Sequence, residues 1–169
     1  MKKNKELILI TIILFSIFIN GCTSIPSRQG TVWEGYGHSY KIIYNYLSWT
    51  DAKLYAEELG GYLVTITSSG EQAFVESMIS KDGIKDFYWL GGYRDMTSKF
   101  TWITNENFLY TNWNQNEPNN LDEIENRLMM YGVLLSNNIV PEQFGMWNDI
   151  RNDPITLFSD NFGFIIEWD

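Results

Sequence analysis

The chain has 169 residues, room for one ordinary domain with its own core, and 16% aromatic side chains (seven Trp, ten Tyr, ten Phe), which excludes a disordered protein. A formal net charge of −9 excludes a basic groove for nucleic acid. A single cysteine, Cys22, excludes a disulfide framework.

The first segment is not expected to join the fold. "MKKNKE" is basic, "LILITIILFSIFI" is a short apolar run, and "NGC" follows. Residues 1–21 read as a signal peptide. "INGC" has the pattern of a bacterial lipobox, in which Cys22 becomes the lipid-modified, palmitate-bearing first residue. A plain membrane span needs about 20 apolar residues, and this run is shorter. The expected location is extracytoplasmic, lipid-anchored to the cell envelope at the outer membrane or cell surface. Losing residues 1–21 removes three Lys and one Glu and leaves −11 on the remainder. Residues 22–36 mix Ser, Gly and Pro and read as a lipidated tether, so the domain is expected over 37–169.

"HSYKIIYNY" places Tyr40, Ile42 and Tyr44 at strand spacing. A helix follows, with Ser48 as cap and Asp51 in the capping-box position. Trp49, Ala52, Tyr55, Ala56 and Leu59 mark its apolar face, and Gly60-Gly61 ends it. "YLVTI" reads as a short buried strand. Ser68 and Glu71 repeat the box, Phe74, Val75, Met78 and Ile79 form the second helical face, and Gly83 closes it. Beyond that come short aromatic runs between polar turns: "FYWL", "FTWI", "FLYTNW", "RLMMYGVLL", "MWNDI" and "FGFIIEW". Two helices early and short strands late predict an α+β fold with helices on the faces of a sheet. The stretch 131–145 reads as a long loop or insertion. Trp49, Trp89, Trp102 and Trp147 are expected in the core, and Trp113 and Tyr131 either there or beside a ligand.

The chemistry gathers in "NEPNNLDEIEN" and "MWNDI". Glu117 and Asn119 flank Pro118, two residues apart, so in an extended chain they point the same way. Glu125 lies eight residues after Glu117, and Asn148 and Asp149 come from a separate strand end. Three carboxylates and two amide oxygens make a hard set suited to Ca²⁺, which takes about 6–8 oxygens. Mg²⁺ prefers a tighter octahedron with more water, and Zn²⁺ wants His or Cys, of which the chain offers one each. A carboxylate beside an amide also matches a sugar hydroxyl, which donates and accepts at once.

In order and spacing, these pieces resemble the C-type lectin-like domain over nearly the whole of 38–169. "SWTDAKLYAEELGGYLVTI" is similar to its first helix and strand, "WLGGYRD" to its central motif, "FTWITNENFLYTNWNQNEPNN" to the approach to its long loop, and "WND" and "FGFIIEWD" to its last strands. The resemblance implies an α+β fold of two helices, mixed and antiparallel sheets, and a long loop carrying a calcium site. It places Glu117, Asn119, Glu125, Asn148 and Asp149 on the calcium- and carbohydrate-binding positions, and implies a cis bond before Pro118. The Glu-Pro-Asn order implies mannose-type sugars with equatorial 3- and 4-hydroxyls. The family's two disulfides fall at Ala56 with Ile166, an apolar pair expected to pack in the core, and at Arg127 with Asn152, expected to be polar and surface-like. Asn120 and Asn126 stand where acids accompany a second ion in the family, so the resemblance carries no prediction of a second ion.

The function expected is calcium-dependent glycan binding by a membrane-anchored lipoprotein. The alternative is a non-sugar adhesin or receptor module whose partner is a protein. An enzyme is not expected: ligation would keep Glu117 and Glu125 ionised and leave no general acid, and His38 shows no partners in the sequence.

Overall fold

The computed structural model describes residues 32–95, 99–133, 141–154 and 161–169. The expected signal peptide, Cys22, residues 22–31 of the expected tether, and residues 134–140 of the expected insertion lie outside the described residues.

The elements run β1 (Trp33–Gly35), β2 (His38–Ile43), α1 (Trp49–Glu58), β3 (Tyr62–Leu63), α2 (Ser69–Asp82), β4 (Phe87–Arg94), β5 (Phe100–Trp102), β6 (Arg127–Tyr131), β7 (Trp147–Ile150) and β8 (Phe162–Trp168). The described strands form one mixed sheet in the order β1-β2-β8-β4-β6-β7, with β3 added on β8 and β5 on β4. Among the described strands only the central β4–β8 pair is parallel, Phe87 opposite Phe162 and Trp89 opposite Phe164.

Both helices start where the capping signals place them. Ser48 Oγ accepts from Asp51 N at 3.1 Å, and Ser68 Oγ accepts from Glu71 N at 3.2 Å. The second box is rearranged: Glu71 turns inward, its Oε2 accepting from Thr67 N at 2.7 Å and its Oε1 from the Tyr40 hydroxyl at 3.0 Å.

The helices lie against opposite faces of the sheet, which explains why the strands read as nearly continuous apolar runs. On β4, Tyr88 and Leu90 join a core with Val75, Met78 and Ile79 of α2. Phe87 and Trp89 point the other way, into a core with Trp49, Ala52 and Ala56 of α1. Burial on β2 likewise covers Tyr40 through Ile43 rather than alternating. All four tryptophans expected in the core are there, none more than 4% exposed.

Three expectations change. Trp33–Gly35, read as tether, pair with β2, Trp33 opposite Tyr40, and belong to the sheet. "FLYTNW" forms no strand. Its rings pack inward instead, Phe108 4.7 Å from Trp102 and Tyr110 5.7 Å from Trp147, and its backbone makes one isolated bridge, Trp113 to Trp147. Arg127 and Asn152 are half-buried rather than surface-like. The Arg127 guanidinium lies 4.6 Å over the Trp49 ring. Asn152 Oδ1 accepts from Thr50 N at 3.1 Å and Thr50 Oγ1 at 2.7 Å, and its carbonyl accepts from Trp49 N at 3.0 Å. These contacts tie the start of α1 to the segment after β7. Ala56 and Ile166 are both fully buried in the α1-side core, as expected.

His38 has partners that the sequence did not reveal. Its Nδ1 lies 2.8 Å from Oε1 of Glu167, a β8 residue 1% exposed. Glu167 Oε2 accepts from Thr65 N at 2.9 Å. Burial pushes the Glu167 carboxyl up to about 8, and the charges of Glu71 and Glu106 add to the effect. A carboxyl raised on folding binds its proton more tightly in the native state, so its contribution to stability declines as pH climbs through that range. Glu167→Gln is therefore expected to gain stability relative to wild type between about pH 5 and about pH 9. Urea unfolding midpoints of both proteins across that range check the sign.

Candidate functional site

The site is assembled from two chain segments pinned together by Trp147. This ring is fully buried and meets Trp102, Tyr110 and Trp113 edge-on at 5.7, 5.7 and 5.9 Å. Its Nε1 donates to Gln72 Oε1 at 2.9 Å, and Gln72 Nε2 donates to the Gly145 carbonyl at 2.8 Å. Trp147 N donates to Asn112 O at 2.7 Å, and Asn114 N donates to Trp147 O at 2.8 Å. The chain entering the Glu117 loop is thus laced to the strand that carries Asn148 and Asp149.

Beyond Asn114 the loop turns sharply. Asn116, Asn120, Asp122 and Glu123 all have positive φ, between 51° and 69°. Asn and Asp tolerate the left-handed region better than most residues, which accounts for the amide-rich spelling here. Glu117–Pro118 is cis.

Four of the five expected residues are linked. Asn119 Nδ2 donates to Glu117 Oε1 and Asn119 N to Glu117 Oε2, both at 3.0 Å. Asp149, fully buried, accepts from Asn119 N at 2.9 Å through Oδ1 and from Asn120 N at 3.0 Å through Oδ2. Leu121 N is shared between Asn119 Oδ1 at 2.8 Å and Glu125 Oε2 at 2.9 Å. Asn148 precedes Asp149 on β7 and is not hydrogen-bonded to the other four; its Oδ1 is buried without a donor. Among the described residues, no three acidic side chains already stand together at metal-ligand geometry.

The electrostatics are those of crowded acids. Burial pushes Glu117 up to about 7, helped by the nearby Asp149 and Glu125 and opposed by the Asn119 N–H. Burial also raises Glu125, with Asp149 and Asp122 adding and the Leu121 N–H and Arg94 opposing. Adjacent oxygen donors with excess negative charge, and a buried amide oxygen lacking a donor, fit a hard divalent cation. Glu117, Asn119, Glu125, Asn148 and Asp149 are the residues that can hold it. They have no thiol or imidazole among them to favour a softer metal.

Trp113 and Tyr131 are half-buried and pack against the core. Trp113 packs on Phe100 at 5.1 Å, and Tyr131 on Phe87 at 5.9 Å. Sequence reasoning missed Arg94, which is ion-paired to Asp149. A lone Arg ending a buried aromatic strand was the available signal, since a buried charge requires a partner.

A family model described as the Lectin C-type domain matches residues 45–151. The chain belongs to the C-type lectin domain family. A lectin from Pleurodeles waltl is 29% identical over 157 residues, covering 86% of this chain and 85% of the relative. The cow carbohydrate-recognition domain of CD23, solved in the presence of a GlcNAc2Man3 oligosaccharide, superposes with a TM-score of 0.64 at 27% identity, covering 81% of this chain and 92% of that one. A GlcNAc complex of SPL-1 gives a TM-score of 0.65 at 26% identity, covering 87% and 98%. Membership brings carbohydrate binding in the broad sense, and C-type lectin domains are in general binding modules rather than enzymes.

In this C-type lectin domain Trp147 sets the spacing of the two site segments. Trp147→Phe keeps a ring but leaves buried Gln72 Oε1 without its donor, a loss of about 1–3 kcal/mol. Equilibrium urea unfolding measures it, and an unchanged midpoint contradicts the role given to this hydrogen bond.

Proposed function

We propose that this protein is a calcium-dependent lectin for mannose-type glycans, held outside the cytoplasm by lipid on Cys22. The observation that carries the reading is the meeting of Glu117, Asn119 and Glu125 of the loop with Asp149 of β7 in one hydrogen-bonded cluster, with the buried, donorless Asn148 Oδ1 beside Asp149. Calcium held by Glu117, Asn119, Glu125, Asn148 and Asp149 would supply Lewis-acid attraction for the hydroxyl oxygens of a sugar. The protein's part is to place the acceptors and donors around them. Glu117 and Glu125 oxygens accept the hydroxyl protons, while Asn119 and Asn148 Nδ2 donate to the remaining lone pairs.

The order Glu117-Pro118-Asn119 supports sugars with equatorial 3- and 4-hydroxyls. Mannose and GlcNAc share that arrangement, and the related CD23 and SPL-1 domains were solved with glycans containing them. Exposed Leu121 and Ile124, 62% and 48% accessible, give the loop an apolar rim on which a sugar's C–H face can rest. That rim also favours the second reading, a protein partner recognised by the loop with a metal serving only to brace it. Retention of a protein partner in EDTA, with a blank glycan screen, supports that alternative.

Calorimetric titration of the full-length chain with calcium is expected to show saturable binding near one ion per chain, lost in Asn148→Ala/Asp149→Ala. A glycan panel is expected to favour mannose, fucose and GlcNAc over galactose and to go blank in EDTA and in Glu117→Gln. A folded chain that takes up no calcium sinks the proposal.

A further inference from the structure

Arg94 ends the central strand β4 and is only 8% exposed. A guanidinium in such a place is costly unless its charge is paired and its N–H groups find acceptors. Strand β7 and the loop together meet both demands. Arg94 Nη2 is ion-paired with the Asp149 carboxylate. Nε donates to the Glu125 carbonyl at 2.8 Å, and Nη2 reaches the same oxygen at 2.5 Å. The backbone N–H of Arg94 donates to the Asn126 carbonyl at 3.1 Å, and the guanidinium rests 5.0 Å from the Phe100 ring centroid.

One side chain therefore joins the end of β4, the middle of β7 and the returning leg of the loop. Asp149 passes the hold onward, because its carboxylate also receives the N–H groups of Asn119 and Asn120 on the outgoing leg. Glu117, Glu125 and Asp149 repel one another when all are charged. A fixed positive charge behind Asp149 offsets part of that repulsion from the protein side.

We propose that Arg94 is a resident cation and positioning residue that keeps residues 116–126 folded in the absence of any exchangeable metal, presenting Asp149 and Glu125 in place. Its functional meaning rests on the metal and sugar reading of the loop, but its test does not. Lysine is a poor substitute, since a compact ammonium on a flexible stem lacks the planar fork that reaches a carboxylate and a carbonyl together.

Hydrogen–deuterium exchange of the full-length chain in EDTA reads this directly. In wild type the amides of Asn119, Asn120 and Leu121 are expected to be protected. In Arg94→Gln they are expected to exchange about tenfold faster or more, while α2 amides keep their rates, with Arg94→Lys between the two. Wild-type loop amides that exchange in EDTA as fast as an unfolded peptide overturn the proposal, and so does an Arg94→Gln loop as protected as wild type. The wild-type arm decides the matter even where the variant does not fold. Calcium titration of the same wild-type sample separates the two readings. Protection in EDTA without calcium uptake supports the resident cation and overturns the metal reading; uptake without protection does the reverse.

Discussion

Complete burial of Trp147 is the constraint on which the candidate site depends. Its ring occupies the centre of an aromatic group formed by Trp102, Phe108, Tyr110 and Trp113, contributed by β5 and the segment that follows it. Its backbone is stitched to Asn112 and Asn114. The two residues after it are Asn148 and Asp149, so a packing decision in the core fixes where two candidate ligands emerge. Packed interiors deform little, and that rigidity passes to the polar groups at their edge. The loop itself has few apolar anchors; its order comes from outside, through Trp147 on one side and Arg94 on the other.

Much of the fold was legible because local chemistry and tertiary demand agree. Ser48 and Ser68 cap their helices because the serine oxygen meets the N–H three residues on in any context. The runs around Trp89, Met129 and Phe164 read as strands because both faces of the sheet are covered, and each run is bounded by polar turns. The segment "FLYTNW" misled because aromatic content signals burial without saying which backbone carries it; here the rings of Phe108 and Tyr110 are buried from an irregular chain. β1 was missed because three residues between a polar stretch and a turn carry almost no periodicity.

The candidate site divides in the same way. Glu117 and Asn119 could be paired from their spacing around Pro118, and their side chains do meet. Joining them to Asp149 took the family resemblance, since nothing local relates residues 30 positions apart. Arg94 and the His38–Glu167 contact escaped for one reason. A charge at a strand end is spelled the same whether it faces water or another charge across the sheet. Glu71, Asp149 and Glu167, none more than 6% exposed, show that this strongly negative chain places several carboxylates where solvent cannot relieve them.

The sheet order carries a consequence for presentation. β1 lies at one edge and β7, with Asn148 and Asp149, at the other, with β2, β8, β4 and β6 between them. At about 4.8 Å per strand spacing this amounts to a lateral offset of roughly 24 Å. Whatever grips the chain ahead of Trp33 grips it by the edge remote from the loop. Immobilisation at that end would leave the edge carrying Asn148 and Asp149 unobstructed, so that many such domains could stand side by side on one surface with their loops still open to a large target.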